Sequence, residues 1–300
     1  MKKKLAIFLL SLIAWMHIPA FATVIVDDAD PNICDFRCTL VSGSSIADGS
    51  TSGNATVYGD ADGGNQISVY DGVAHWNKYT LASEIGYALS GIVAGNMYDL
   101  YIYWNGTAFQ FDTPVVWPNI STPPARTKVN GVWLKTGALT RRLVASFYAT
   151  GTNLTMDTAG GRCLCNQQHR VPRAISANIP GGYTYGGGWR NAAGALNIVA
   201  SVGQTFVWIV SSDGTTPVKA NSDVTVGTAS SGQTTCILAL NGVGQATSSE
   251  NNNIYGIIAT GTSSISATLP AGFSYLNNQE YSSNSANQFY TQNITGTIQN

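Results

Sequence analysis

Residues 97–104 read MYDLYIYW, followed by Asn105-Gly106 and then by Phe109 and Phe111. Tyr98, Leu100, Ile102 and Trp104 fall at every second position, the period of a strand with one face against a core. Asn-Gly suits a type I′ turn, which needs positive φ at both central residues, so a hairpin is predicted across 105–106. The same signature recurs at Asn130-Gly131, between Arg126–Val129 and Val132–Lys135. Further strands are predicted at 141–150, 194–200, 205–211, 234–240 and 253–260, with turn signals at Asp213-Gly214 and Asn241-Gly242. Leu81–Gly91 also alternates at Ile85, Tyr87 and Leu89 and is read as strand. Short strands separated by frequent turns predict an all-β chain. The expected architecture is an antiparallel β-sandwich or jelly roll with little helix, in two packed β domains.

Composition agrees. Only 10% of the 300 residues are charged, 44% are hydrophobic and 32 are glycine, which leaves ample core material and argues against disorder or a coiled coil. Residues 1–22 carry Lys2, Lys3 and Lys4, then the apolar run Leu5–Met16, then Ala20-Phe21-Ala22. This is the pattern of a cleaved secretory signal, with an uncleaved anchor as the competing reading. Export places the chain in a secreted, extracellular or periplasmic location, with no membrane span in the mature part. The remaining organisation is an N-terminal β region at 23–112, a proline-containing linker with a basic hairpin at 113–180, and a C-terminal sandwich region at 181–300. The polar run Ser248–Asn253 is read as a surface loop.

Without the signal the formal charge is -4, from 12 basic and 16 acidic residues, but it is unevenly placed. Residues 23–112 hold 11 acids against Arg37 and Lys78; residues 126–190 hold nine bases against Asp157. Two readings compete. Either the segments neutralise each other by packing, or Arg126, Lys128, Arg141, Arg142, Arg170 and Arg173 form a basic surface for a polyanion. The overall charge excludes a uniformly basic nucleic-acid binder, and no nucleic-acid partner is expected.

An exported chain can form disulfides, and Cys34, Cys38, Cys163 and Cys165 are the candidates. Bridges between the two clusters strain the backbone less than a Cys163–Cys165 bond, and connectivity stays open. The C-x3-C and C-x-C spacings fit zinc ligand pairs poorly, so no metal site and no cofactor are assigned. Cys236 lies in an apolar strand pattern and is read as a free buried thiol. Asp60–Asn65 resembles part of a calcium loop but lacks the terminal acid, and reads as a polar turn.

Catalytic motifs are missing: there is no G-x-S-x-G, H-E-x-x-H or phosphate-binding loop. His75 and His169 read as surface residues. Asp157, Glu250 and Glu280 are the acids a glycosidase pair could draw on, though their spacing selects none, and Asp157 reads better as an ion-pair partner of nearby arginines. Aromatic side chains beside turns are the more suggestive feature, because an exposed ring stacks on a sugar ring. Trp104, Trp133, Tyr183, Tyr185 and Trp189 are the ligand-contact candidates, and no residue is assigned as catalytic.

The chain resembles a group of tailed-phage virion proteins of tail-fibre-like type. The resemblance runs through Phe36–Gly43, Tyr70-Asp71-Gly72 with Trp76 and Tyr79, and Tyr98–Tyr101. It continues in Asn130–Gly137 with Thr140-Arg141-Arg142, Ala149–Thr152, Asn166…Arg170–Arg173, Trp189-Arg190, and Gly272–Leu276 with Glu280-Tyr281. Where the family carries aromatics between Arg162 and Arg170, this chain has Cys163–His169. The resemblance implies a non-enzymatic, β-rich virion or host-surface-binding role. Its partners would be a cell-surface glycan or other virion proteins, and it could assemble as a homotrimer. The alternatives are a secreted polysaccharide hydrolase and a bacterial secreted adhesin.

Overall fold

The computed structural model describes residues 28–46, 51–179, 181–192, 206–227, 232–244, 250–253 and 258–299. The signal segment and the strand expected at 194–200 lie outside these. The regular elements among the described residues are β-strands, as the alternation predicts, numbered here in chain order. Sheet 1 has the order β1 (Phe36–Thr39), β3 (Thr56–Ala61), β6 (Ile85–Ala88), and beside it lies a separate hairpin of β4 (Gln66–Tyr70) and β5 (Trp76–Thr80).

Sheet 2 has the order β10 (Arg126–Val129), β11 (Val132–Lys135), β12 (Ala138–Tyr148), β7 (Met97–Trp104), β8 (Phe109–Phe111). The short β9 (Val115–Val116) pairs with β7, and β15 (Leu164–Asn166) with β12. Sheet 3 runs β2 (Thr51–Asn54), β13 (Thr155–Thr158), β14 (Gly161–Arg162), β19 (Phe206–Ser211), β25 (Gly272–Ser282), β21 (Gly232–Leu240), β22 (Val243–Gly244). In the same sheet β18 (Gly187–Asn191) pairs with β25, and β23 (Glu250–Asn253) with β21. Sheet 4 runs β16 (Pro172–Ile179), β26 (Gln288–Gln299), β20 (Pro217–Gly227), β24 (Ile258–Thr268), and β17 (Tyr183–Thr184) pairs with β26. The pairings are antiparallel except β14 with β19.

The four sheets stack in order, and the cores between them explain the sequence patterns. Tyr98, Leu100, Ile102, Ala145 and Phe147 of sheet 2 meet Phe36, Cys38 and Val57 of sheet 1. Met97, Tyr148 and Cys165 on the opposite face of sheet 2 meet Phe206, Trp208 and Val210 of sheet 3. Val207, Ile209, Leu238 and Leu276 then face Ile175, Val218, Ala220, Ile265 and Ile294 of sheet 4. Strands β7 and β19 are therefore covered on both faces, which is why FVWIV at 206–210 is apolar at consecutive positions. Outer strands keep the alternation: β16 buries every second residue throughout, and β20 does so over its first eight residues.

Strand pairing crosses the expected regional boundaries. β7 pairs with β12 across residue 112, and β16 pairs with β26 across residue 180. The turn expectations split. Asn130-Gly131 and Asn241-Gly242 have positive φ at both residues and close two-residue hairpins. At 105–106 only Gly106 has positive φ, and the register pairs Trp104 with Phe109, so this loop has four residues. The Asn105 side chain accepts from the N–H groups of Thr107 and Ala108, which closes the wider turn. Glu250–Asn253 is not a loop but strand β23, paired with Gly232–Thr235.

The segment joining β9 to β10 is pinned where it crosses to sheet 3. Phe273 N–H donates to the Ile120 carbonyl at 2.8 Å. The neighbouring Gly272 has φ +106°, and a Cβ there would stand 2.2 Å from the same oxygen. Gly272→Ala should cost about 2–3 kcal/mol from the left-handed backbone and the clash together. Urea denaturation checks this; an unchanged midpoint would show that the segment moves aside freely.

Candidate functional site

All five cysteines are buried and free, which corrects the disulfide expectation. Cys34 and Cys38 lie in the core between sheets 1 and 2, whereas Cys163 and Cys165 lie on the other side of sheet 2. A packed sheet therefore separates the clusters. Burial pushes all five thiols above their ordinary value and keeps them neutral. Cys236 matches its expected buried state.

The basic residues are mostly committed to partners, so the basic-surface expectation fails for most of them. Arg126 reaches Asp99 with two nitrogens, at 2.7 and 2.6 Å, and its side chain is 5% exposed. Arg142 is fully buried, with the carbonyl oxygens of Pro31, Ile33 and Ser68 at 2.9, 3.1 and 2.6 Å. Arg162 and Arg173 hold the two oxygens of Asp157 at 3.0 and 3.1 Å. Arg170 pairs with Asp213, while Lys135 and Arg141 share Asp112. Packing of the basic segment onto acids thus accounts for seven of its nine bases, Arg190 included. Arg142 is caged by backbone, and Lys128 has no carboxylate within 4.0 Å among the described residues.

The aromatic candidates fall in three places. Trp104 stacks on Tyr79, with ring centres 4.4 Å apart and planes 8° from parallel, and Phe109 meets it edge-on. Both rings are half-buried against the first core. Trp133 lies on β11, under the ammonium of its cross-strand partner Lys128 at 4.9 Å. Trp76 and Trp117, by contrast, are core residues.

Tyr183 and Tyr185 meet around Arg190, whereas Trp189 packs on Tyr281. Tyr183, Tyr185 and Trp189 belong to the glycine-rich arm 181–191, in which β17 joins sheet 4 and β18 joins sheet 3. The arm is held by Glu280, which is fully buried. Glu280 accepts from the Tyr183 hydroxyl at 2.5 Å, from Arg190 Nε at 2.6 Å and from Gln292 Nε2 at 3.1 Å. The Arg190 guanidinium then lies 3.5 Å from the centre of the Tyr185 ring. On the opposite face of the β18–β25 pair, Trp189 is 50% exposed and packs at 5.6 Å against half-buried Tyr281. The result is one arm with two faces: Trp189 and Tyr281 on one, and Arg190 with Tyr183 and Tyr185 over the buried Glu280 on the other. Arg190, Tyr281 and Gln292 complete it, and none of the three stood out as a candidate in the sequence.

The acids are arranged for structure. Glu280 and Asp157 are buried, and each is held by several hydrogen-bond donors. A glycosidase pair instead presents two carboxyl groups to an open cleft, flanking the bond to be cut. The Glu250 side chain lies outside the described residues. His75 is exposed, and His169 stands 3.7 Å from Asp62, within the Asp60–Asn65 stretch. No group of three or more His, Cys, Asp or Glu suited to a metal occurs among the described residues. No helix among them is long and apolar enough to cross a membrane.

No family model matches the chain, and no curated protein does. Solved structures give distant likenesses. The infectious bursal disease virus Gx strain structure has 12% identity and a TM-score of 0.28, over 90% of this chain and 74% of that one. The insecticidal delta-endotoxin Cry8Ea1 from Bacillus thuringiensis has 8% identity and a TM-score of 0.23, over 82% and 49%. BuGH86 in complex with neoagarooctaose has 9% identity and a TM-score of 0.20, over 89% and 35%. At such scores these likenesses bear on neither activity nor partners.

Proposed function

We propose that the chain is a non-enzymatic, exported surface-binding protein of the tail-fibre-like virion type, and that it engages cell-surface glycan. The observation that carries this reading is the platform of Trp189 and Tyr281, an exposed ring packed on a second ring across the β18–β25 pair. Rings held at fixed angles stack on the apolar faces of sugars with little ordering cost. The burial of Glu280 and Asp157 supports the non-enzymatic part.

A glycan array followed by calorimetry on the strongest hit tests it. Trp189→Ala should weaken that hit about tenfold, the loss expected for one stacked ring. Its stability should change by less than about 0.5 kcal/mol, because half the side chain already faces water. An empty array, together with absence of the chain from purified particles, would sink the proposal. Capsid and tail genes beside the coding sequence would favour the virion reading over a bacterial adhesin.

A further inference from the structure

A second site, separate from the platform, lies where the two halves of the chain meet. A cavity of about 190 Å³ is lined by Pro123, Pro124, Arg126 and Trp133 from the first half and by Asp213 and Ala271 from the second. Its walls are mainly apolar, and its charged side chains are fixed in place. Arg126 is clamped by Asp99 and donates to the Ser212 carbonyl at 2.8 Å. Asp213 accepts from Thr215 N–H and hydroxyl, from Gln167 Nε2 and from Arg170. Burial alone would push the Asp213 carboxyl up, but Thr215 and Arg170 outweigh it and hold the group below the usual range, so it is ionised. A seam between packed units, with an aromatic wall and a few fixed polar groups, is the usual setting for a small-molecule site.

The charge balance around the cavity selects the ligand. Arg126 is cancelled by Asp99, and Arg170 by Asp213. Lys128 is left, exposed at the Trp133 ring and without a carboxylate partner among the described residues. The local excess is therefore one positive charge, next to an indole. We infer that this seam pocket binds a saccharide unit bearing a carboxylate, with its ring against Trp133 and its carboxylate toward Lys128. Hydroxyl groups of the sugar would meet Asp213, and the prolines would close the apolar side. The inference does not rest on the proposed function, since Trp189 and its neighbours take no part.

The experiment uses the full mature chain with D-glucuronate and N-acetylneuraminate as probes and D-glucose as the neutral control. Ligand-observed NMR and tryptophan fluorescence are the readouts. Both acids should bind, more tightly than glucose, and their affinity should fall as salt is raised. Lys128→Gln should weaken the acids about threefold and leave glucose unchanged, the size of an exposed charge contact. Trp133→Ala should weaken all three about tenfold. If Trp133→Ala fails to fold, Trp133→Leu with Lys128→Gln carries the test. Equal binding of acid and neutral sugar would overturn the anionic assignment, and binding unaffected by both substitutions would overturn the pocket. Loss of array binding in Trp189→Ala with these results intact would belong to the platform alone.

Discussion

Asp99→Ala should lower the unfolding free energy by about 3–5 kcal/mol, the cost of stranding one partner of a buried ion pair. Asp99 is fully buried in the middle of β7 and serves four donors. Arg126 takes both oxygens, Trp117 Nε1 donates at 2.8 Å, Ser146 Oγ at 2.7 Å and the Tyr101 hydroxyl at 3.2 Å. Alanine would leave the Arg126 guanidinium, 5% exposed, with the Ser212 carbonyl, the Ser146 hydroxyl and the Trp117 ring as its remaining neighbours. The effect should reach beyond sheet 2, because Arg126 ties that sheet to the turn after β19. Adding Arg126→Leu should recover part of the loss, since neither charge is then buried. Urea denaturation of the single and double variants measures both quantities. A single-variant loss below about 1 kcal/mol would mean that water reaches Arg126 and that the network does not hold the seam.

That same residue shows how far the sequence can be read. In MYDLYIYW the alternation correctly selects Tyr98, Leu100 and Ile102 for the first core. It leaves Met97, Asp99 and Tyr101 on what reads as an outer face. The outer face does not exist, because sheet 3 packs there, and all three are buried. The available signal was the near-absence of charge in the strand, which marks burial on both sides. The Asn-Gly turns carry a related lesson. Three sites share one dipeptide, yet the first closes a wider loop. Its register places Trp104 beside Phe109 with ring centres 5.3 Å apart, over the first core. A two-residue turn there would set Trp104 opposite Thr107 and lose that pair. Side-chain packing outweighed the local turn preference.

The site was legible as residue types and not as geometry. Tyr183, Tyr185 and Trp189 are close in sequence, so their place on one arm was visible, but not that Trp189 turns to the opposite face. Glu280, which holds the arm, is 90 residues from Arg190 and meets it only through the pairing of β18 with β25. No local pattern encodes such a contact. Likewise the cysteine spacings gave no hint that a whole sheet separates the two clusters. Charge segregation was the more informative long-range signal, since opposite charges 23–112 and 126–190 did meet as Arg126 with Asp99 and as Lys135 and Arg141 with Asp112.

Adjacent arginines on β12 should respond to charge reversal to very different degrees. Arg141 is 29% exposed, lies 3.8 Å from the centre of the Tyr103 ring and is 3.6 Å from Asp112. Arg141→Glu loses a half-exposed ion pair and a ring contact, for a cost of about 1 kcal/mol. Arg142 points to the other face, as strand geometry requires, into a cage of three carbonyls and the Gln168 amide oxygen at 2.7 Å. Arg142→Glu would set a carboxylate among four acceptors with no water to separate them. The expected cost exceeds about 5 kcal/mol, since the lost donors and the unpaired buried charge add up, and the chain should not fold cooperatively. Arg142→Met removes the charge but orphans the carbonyls, and should cost about 3 kcal/mol. If both reversals instead left stability unchanged and weakened polyanion binding equally, the basic segment would be a surface after all. The cage around Arg142 makes that outcome physically inconsistent with the packing of residues 31–33 and β4 onto β12.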